Sequence, residues 1–197
     1  MPSVTKRAPT GAAVLQPHVT AAISEAVLDE LASSGYGRLS MEAVAKRAGV
    51  GKSALYRRWP SKQDMVIAVL AELSVPAAEV PQTGSLRADL RAMLQAVHDW
   101  LTHHRIAAIL PDLIAEGGRN SALSDAIAIG VGQPRRDIAS VTLTRAVERG
   151  ELPADLNVDV ALDVLAGPIY WRLVVRRAPV DEAYLDELTE FLLRSLG

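Results

Sequence analysis

Between Ser40 and Asp64 the chain is punctuated so closely that only short helices fit. Ser40 is a good N-cap for the run MEAVAKRA, and Glu42 in its first turn complements the helix dipole. Gly49 breaks that helix. A second short one runs from about Gly51 to Arg58, with Leu55 as its buried anchor and Val50 packed at the turn. Trp59-Pro60 stops it, because the residue before a proline is pushed out of the helical region. Ser61 and Asp64 then have the S-x-x-D form of a capping box, and Met65, Ala68, Val69 and Leu73 carry an apolar stripe along the next helix. Val44, Ala45 and Ala48 give the first short helix its inward face. Two short helices around a glycine turn, flanked by longer ones, make a helix-turn-helix arrangement.

Charge follows the same boundaries. The whole chain carries a formal −2, yet residues 1–75 hold nine Lys or Arg against six Asp or Glu, and the remainder holds twelve against seventeen. From Tyr36 to Lys62 there are seven basic residues (Arg38, Lys46, Arg47, Lys52, Arg57, Arg58 and Lys62) and Glu42 alone opposes them. That local excess is a footprint for a polyanion. The bland alternative is a solvated face on a small helical domain; agreement of charge, helix breaks and caps on one unit weighs against it.

Outside this unit the sequence reads as all-α, with about nine helices and no segment that alternates like a strand. Residues 1–17, with Pro2, Pro9, Gly11 and Pro17, are expected to be a flexible basic arm bearing Lys6 and Arg7. Residues 18–75 form the helix-turn-helix domain with its linker helix. Its first helix has Ile23, Val27 and Leu31 on one face and ends at Ser34-Gly35-Tyr36-Gly37. Pro76, Pro81 and Gly84 mark a boundary, and residues 82–197 form a larger C-terminal helical domain. There the expected helices are Leu86 to about His103, a shorter one from Ile106 to Ala115 interrupted near Pro111, and one broken or bent around Gly130, Gly132 and Pro134. Another starts at Asn157 or Asp159 and carries Gly167-Pro168, and the last runs from Asp181 to Leu196.

Several function classes fall away. With 197 residues and no cysteine, thiol catalysis, thiolate metal sites and disulfides are excluded together. No run approaches the ~18 apolar residues of a membrane span, so no membrane role and a cytoplasmic location are expected. His98, Asp99, His103, His104 and Asp112 lie near one another, but the spacing lacks the HExxH pattern of a metal-binding helix. No catalytic residue, metal or cofactor is expected.

In a helix-turn-helix the second short helix enters the major groove and the first crosses the backbone. Lys52, Ser53, Tyr56 and Arg57 are candidates for its outward edge, where Lys and Arg donate to guanine or phosphate and Ser53 and Tyr56 to phosphate oxygens. Lys62, in the first turn of the next helix, suits a phosphate beside free backbone N–H groups. Arg58 reads equally as a phosphate contact or a solvated charge, and Trp59 reads first as a packing anchor.

The run GYGRLSMEAVAKRAGVGKSALYRRWPSKQDMVIAVLAEL closely resembles the DNA-binding domain of the tetracycline-repressor (TetR) family of bacterial transcriptional regulators, over roughly residues 19–73. Gly35-Tyr36, Ser40, Ala48-Gly49-Val50, Leu55-Tyr56 and Trp59-Pro60-Ser61-Lys62 occupy the family's motif positions. The resemblance implies a ligand-responsive repressor that binds palindromic double-stranded DNA as a homodimer and releases it when a small-molecule effector binds. By position it makes Ser40 and Tyr56 backbone contacts, Lys62 a phosphate contact, and Lys52, Ser53 and Ala54 the base-facing edge. Gly51 departs from the usual Ser or Thr cap and Ala54 offers only a methyl, so the DNA sequence read stays open. The segment from Gly150 to Leu193 resembles the last two helices of one regulator subgroup, which pair across a two-fold axis. Leu185, Leu188 and Leu192 form a stripe for that interface, and Ala166 and Gly167 allow a second backbone to approach. Met93, Val97, Trp100, Ile109, Leu110, Ile127, Tyr170 and Trp171 fall on helices that surround the family's cavity, with plain core packing as the alternative for each. A regulator without effector, whose C-terminal domain serves only dimerisation or a protein partner, is the competing reading.

Overall fold

The computed structural model describes residues 16–76 and 82–197. Lys6 and Arg7 of the expected arm, and Pro81 at the expected boundary, lie outside them. Among the described residues every regular element is helical. These are α1 (Pro17–Arg38), α2 (Met41–Arg47), α3 (Lys52–Tyr56), α4 (Lys62–Ser74), α5 (Leu86–Thr102), α6 (His104–Gly117), α7 (Ser121–Ile127), α8 (Gln133–Glu148), α9 (Val158–Tyr170) and α10 (Glu182–Leu196). A π-helical segment, Ala128–Gly132, joins α7 to α8 without a break, so the helices make nine rods among the described residues.

Local chemistry sets the ends of these helices. Ser40, Ser61, Ser85, Asn120, Asn157 and Asp181 each stand in extended backbone at an N-cap and accept a hydrogen bond from the backbone N–H three residues on. Gly51 caps α3 with no side-chain bond, and α3 is correspondingly short. At Gly35 α1 leaves the helical path with φ +74° and ψ 167°, a conformation that L side chains rarely adopt. One further turn follows and brings Tyr36 and Leu39 back into the interior.

Two expectations need correction. The helix expected to be interrupted near Pro111 runs through it, from His104 to Gly117. Pro111 cannot bond the carbonyl of Ala107, but both residues lie on the exposed face, where that oxygen is open to solvent. The helix expected to be broken or bent around Gly130, Gly132 and Pro134 runs on unbroken, with the π-helical segment absorbing the irregularity just before Pro134.

The side chains pack into two cores that do not divide at the linker. The first joins Ile23, Val27 and Leu31 of α1 to Val44, Leu55 and the buried face of α4, and is completed by Ile109 and Leu113 of α6, Leu123 of α7 and Val131. Leu55 is fully enclosed there, worth roughly 1.5–3 kcal/mol of burial, and it anchors the whole of α3. The second core gathers Leu90 and Leu94 of α5, Leu143 and Ala146 of α8, Leu162, Leu165 and Ile169 of α9, and Leu185 and Leu192 of α10. The helix-turn-helix unit therefore sits on a platform of α6 and the α7–α8 rod.

Candidate nucleic-acid interface and ligand cavity

With Leu55 inward, the remainder of α3 faces out. Lys52, Ser53, Tyr56 and Arg57 are exposed, Tyr56 with 54% of its surface open, and Ala54 is half-buried. Ser40 is exposed at the start of α2 while its hydroxyl caps Ala43 N–H at 3.1 Å. Trp59 packs against the first core, as its anchor reading requires.

Counting charges overstates what this face offers to a polyanion, because several are engaged within the chain. Lys52 Nζ pairs with Glu42 Oε2 at 2.7 Å, and the hydrogen bond and charge of each shift the other: Lys52 is held above its ordinary pKa and Glu42 below. Arg47 pairs with Glu30 at 2.7 Å. Arg58, half-buried, is not a surface cation: it donates to Thr20 Oγ1 at 2.9 Å and to the Ala54 carbonyl at 2.8 Å, and so ties the end of α3 to the start of α1.

Lys62 is also redirected. Its ammonium donates to the Tyr36 carbonyl at 3.0 Å and lies 4.3 Å from the centre of the Tyr36 ring. In the single chain the ammonium expected beside a phosphate is thus a brace between α4 and the last turn of α1. Asp112 of α6 completes it from the other side, accepting from Tyr36 N–H. A side chain on Gly35 would place its Cβ only 2.7 Å from Asp112 Oδ1, so glycine is needed there for space as well as for φ. Gly130 has a similar role, since a Cβ on it would overlap the Cγ2 methyl of Ile67 on α4. These contacts join the helix-turn-helix unit to the C-terminal helices, and none is visible as a sequence motif.

Behind them lies a cavity of about 320 Å³ between α5, the α7–α8 rod and α9. Of the residues expected there, Met93, Val97, Trp100 and Ile127 line it, joined by Ala96, Val131, Gly132, Arg135, Arg136, Ala139, Thr142, Leu162, Leu165 and Ala166. The other four do not. Ile109 is enclosed in the first core, Leu110 and Tyr170 pack on the second, and Trp171 is exposed at 57%. The sequence reading favoured apolar and aromatic residues and so passed over Arg135, Arg136 and Thr142, which supply the polar part of the lining. Arg135 lies over the Trp100 ring, 4.4 Å from its centre, and donates to the carbonyl of Ser74 at the end of α4.

The expected dimer stripe on α10 is corrected in the same way. Leu185, Leu188 and Leu192 are buried inside this chain, where α10 packs on α5, and their outward counterpart is Phe191, 54% exposed. Ala166 and Gly167 are exposed, and a Cβ on Gly167 would meet nothing within 4 Å. Val160 and Gly167 of α9, with Trp171 just beyond its end, lie on one outward stripe, while Val164 at the same spacing is half-buried against the second core.

His98 Nδ1 lies 3.1 Å from Asp99 Oδ1, and the His103 and His104 rings stack at 4.7 Å. Among the described residues no three His, Cys, Asp or Glu side chains converge to hold a metal, and no helix is long and apolar enough to cross a membrane.

Residues 23–69 match the family of bacterial regulatory proteins, tetR family, and residues 80–192 match the tetracyclin repressor-like C-terminal domain. The chain is 34% identical over 178 residues to a DNA-binding transcriptional repressor TetR of Mycobacteroides abscessus, covering 88% of this chain and 91% of that protein. The solved TetR family transcription regulator SCO0332 is 33% identical, with a TM-score of 0.73 over 91% of this chain and 99% of that one. The transcriptional regulator FadR of Bacillus subtilis, solved with stearoyl-CoA, has a TM-score of 0.68 at 22% identity, over 88% of this chain and 95% of that one.

Proposed function

The chain belongs to the TetR family of bacterial transcriptional regulators, and from that premise we propose that it is a cytoplasmic homodimeric repressor that binds palindromic DNA and releases it on binding a small-molecule effector. DNA binding itself is common to the family. The observation that carries the finer reading is the cavity: about 320 Å³ of mostly apolar space whose Arg135 reaches the last residue of α4.

An effector acts only through a difference in affinity between two conformations. Here the cavity wall touches the DNA-binding unit at Arg135 with Ser74, and Gly130, on the same rod as Arg135, packs close to Ile67. A ligand that separates them favours the arrangement in which the two α3 helices are misplaced. Lys52, Ser53, Ala54, Tyr56 and Arg57 present the reading edge, and Ser40 and Tyr56 hold the DNA backbone. The α9 stripe with Phe191 forms the two-fold interface, which sets the two α3 helices about 34–36 Å apart on one face of the duplex. FadR of Bacillus subtilis shares only the fold with this chain; its complex with stearoyl-CoA supports the reading to the extent that this fold accommodates a ligand.

The cavity separates this reading from a regulator whose C-terminal domain serves only dimerisation or a protein partner. Thermal-shift screening of the purified protein against a metabolite library, followed by gel shift with its own upstream DNA, tests it. A compound that raises the melting temperature and weakens the DNA complex is the expected result. Saturable DNA binding with no thermal response to any compound would leave the effector-free regulator.

A further inference from the structure

The cavity is mostly apolar, and its polar lining comes from Arg135, Arg136 and Thr142, which are not equally matched by the protein. Arg136 is engaged by two carboxylates, Asp163 at 2.6 Å and Asp159. Arg135 has no carboxylate partner among the described residues, and the Ser74 carbonyl is its sole recorded acceptor. Burial pushes its pKa down to about 10, which leaves it a cation at neutral pH. Trp100 and Thr142 line the same cavity, and the Trp100 Nε1 and Thr142 Oγ1 atoms are each buried with no hydrogen-bond partner.

A cation with no carboxylate partner beside a mostly apolar space is unfavourable alone. A single acceptor-rich anion offsets that cost. The guanidinium, held over the Trp100 ring, presents its N–H groups in a planar fork that a carboxylate accepts in pairs. A cationic ligand would be repelled by Arg135, and a neutral one would leave it unpaired. The opposite walls, Met93, Val97, Ile127 and Leu162, take hydrocarbon, and the volume of about 320 Å³ is near the lower end of small-molecule sites.

We propose that the effector is a compact amphipathic organic acid, with its carboxylate on Arg135 and its hydrocarbon body against Met93, Val97, Ile127 and Leu162. The inference rests on the effector-responsive reading above and adds the chemical class. It also links binding to release, because a carboxylate on Arg135 competes with the Ser74 carbonyl that holds the guanidinium to the end of α4.

Calorimetry on the full-length protein with hexanoate, octanoate, decanoate and phenylbutyrate, each beside its primary alcohol, tests the class. At least one acid binds about tenfold or more tightly than its alcohol, and Arg135→Met removes that preference while alcohol binding persists. Arg135→Lys retains part of the preference, which covers the case in which Arg135→Met fails to fold. Alcohols that bind as tightly as the acids, or a preference that survives Arg135→Met, overturn the acid assignment and leave effector response standing. If both series are silent, a metabolite library decides. Carboxylate hits lost in Arg135→Met support the assignment, neutral or cationic hits overturn it, and an absence of any hit overturns the effector reading together with it.

Discussion

The backbone N–H of Tyr36 donates to Asp112 Oδ2 at 2.7 Å, a bond between residues 76 positions apart that fixes the last turn of α1 on α6. Lys62 of α4 grips the same residue through its carbonyl and ring. Tyr36 is therefore the point at which α1, α4 and α6 meet, immediately before the cap of α2. Asp112→Ala removes the acceptor from a part-buried N–H and lowers unfolding free energy by roughly 1–3 kcal/mol, with Asp112→Asn retaining part of it. Urea denaturation of the variants checks this; an unchanged midpoint and slope for Asp112→Ala would mean that the bond contributes nothing.

Lys62 distinguishes a brace from a phosphate contact. Replacing it with Met removes the bond to the Tyr36 carbonyl and the cation over the ring, and costs about 1 kcal/mol of stability. The slope of log K against log salt for DNA binding stays as in the parent, because the ammonium is used inside the chain. A slope flattened by about 0.9 would instead assign Lys62 to a phosphate.

Glu42 restrains the cation best placed on the reading edge. Glu42 is held below the ordinary carboxylate range, first by the hydrogen bond from Lys52 and then by its charge, so the pair is intact at neutral pH and is lost only as pH falls through that lowered pKa. Glu42→Gln releases Lys52 at neutral pH. Fluorescence-anisotropy titrations across a salt series then give tighter binding and a slope steeper by up to about 0.9. Unchanged affinity and slope would remove Lys52 from the interface.

Trp171, immediately after α9, is the largest apolar side chain of the outward stripe that continues from that helix, with 57% of its surface open in the single chain. Trp171→Glu puts a charge at the proposed two-fold interface and yields monomers by sedimentation analysis, with weakened DNA binding and intact helical content. A dimer that persists would move the interface elsewhere.

What the sequence discloses depends on how far each interaction reaches along the chain. The caps at Ser40, Ser61 and Asp181 close on an N–H three residues away, so residue types at fixed offsets suffice to place them. Leu55 and Trp59 were legible for the same reason: each is positioned by a short helix bounded on both sides. The leucines of α10 were legible as an apolar stripe, but periodicity says only that a face is covered, not whether by α5 of the same chain or by another copy. Charges could be counted but not their partners, so the bonds of Arg58 to Thr20 and of Lys62 to Tyr36 had no mark in the sequence. Asp112, Gly130 and Arg135 act on residues more than sixty positions away, as with Arg135 and Ser74 at 61, and no local pattern marks such residues.

The central claim is that two copies of this chain read one palindrome through α3. Footprinting of the purified protein on DNA selected from its own upstream region, with stoichiometry measured on the same fragment, tests it most directly. The account predicts saturable protection of two half-sites centred about 10 base pairs apart, one dimer per palindrome, and uniform weakening by Tyr56→Ala without loss of stability. Binding that is unsaturable and indifferent to sequence, or that is unaffected by Tyr56→Ala, would contradict it.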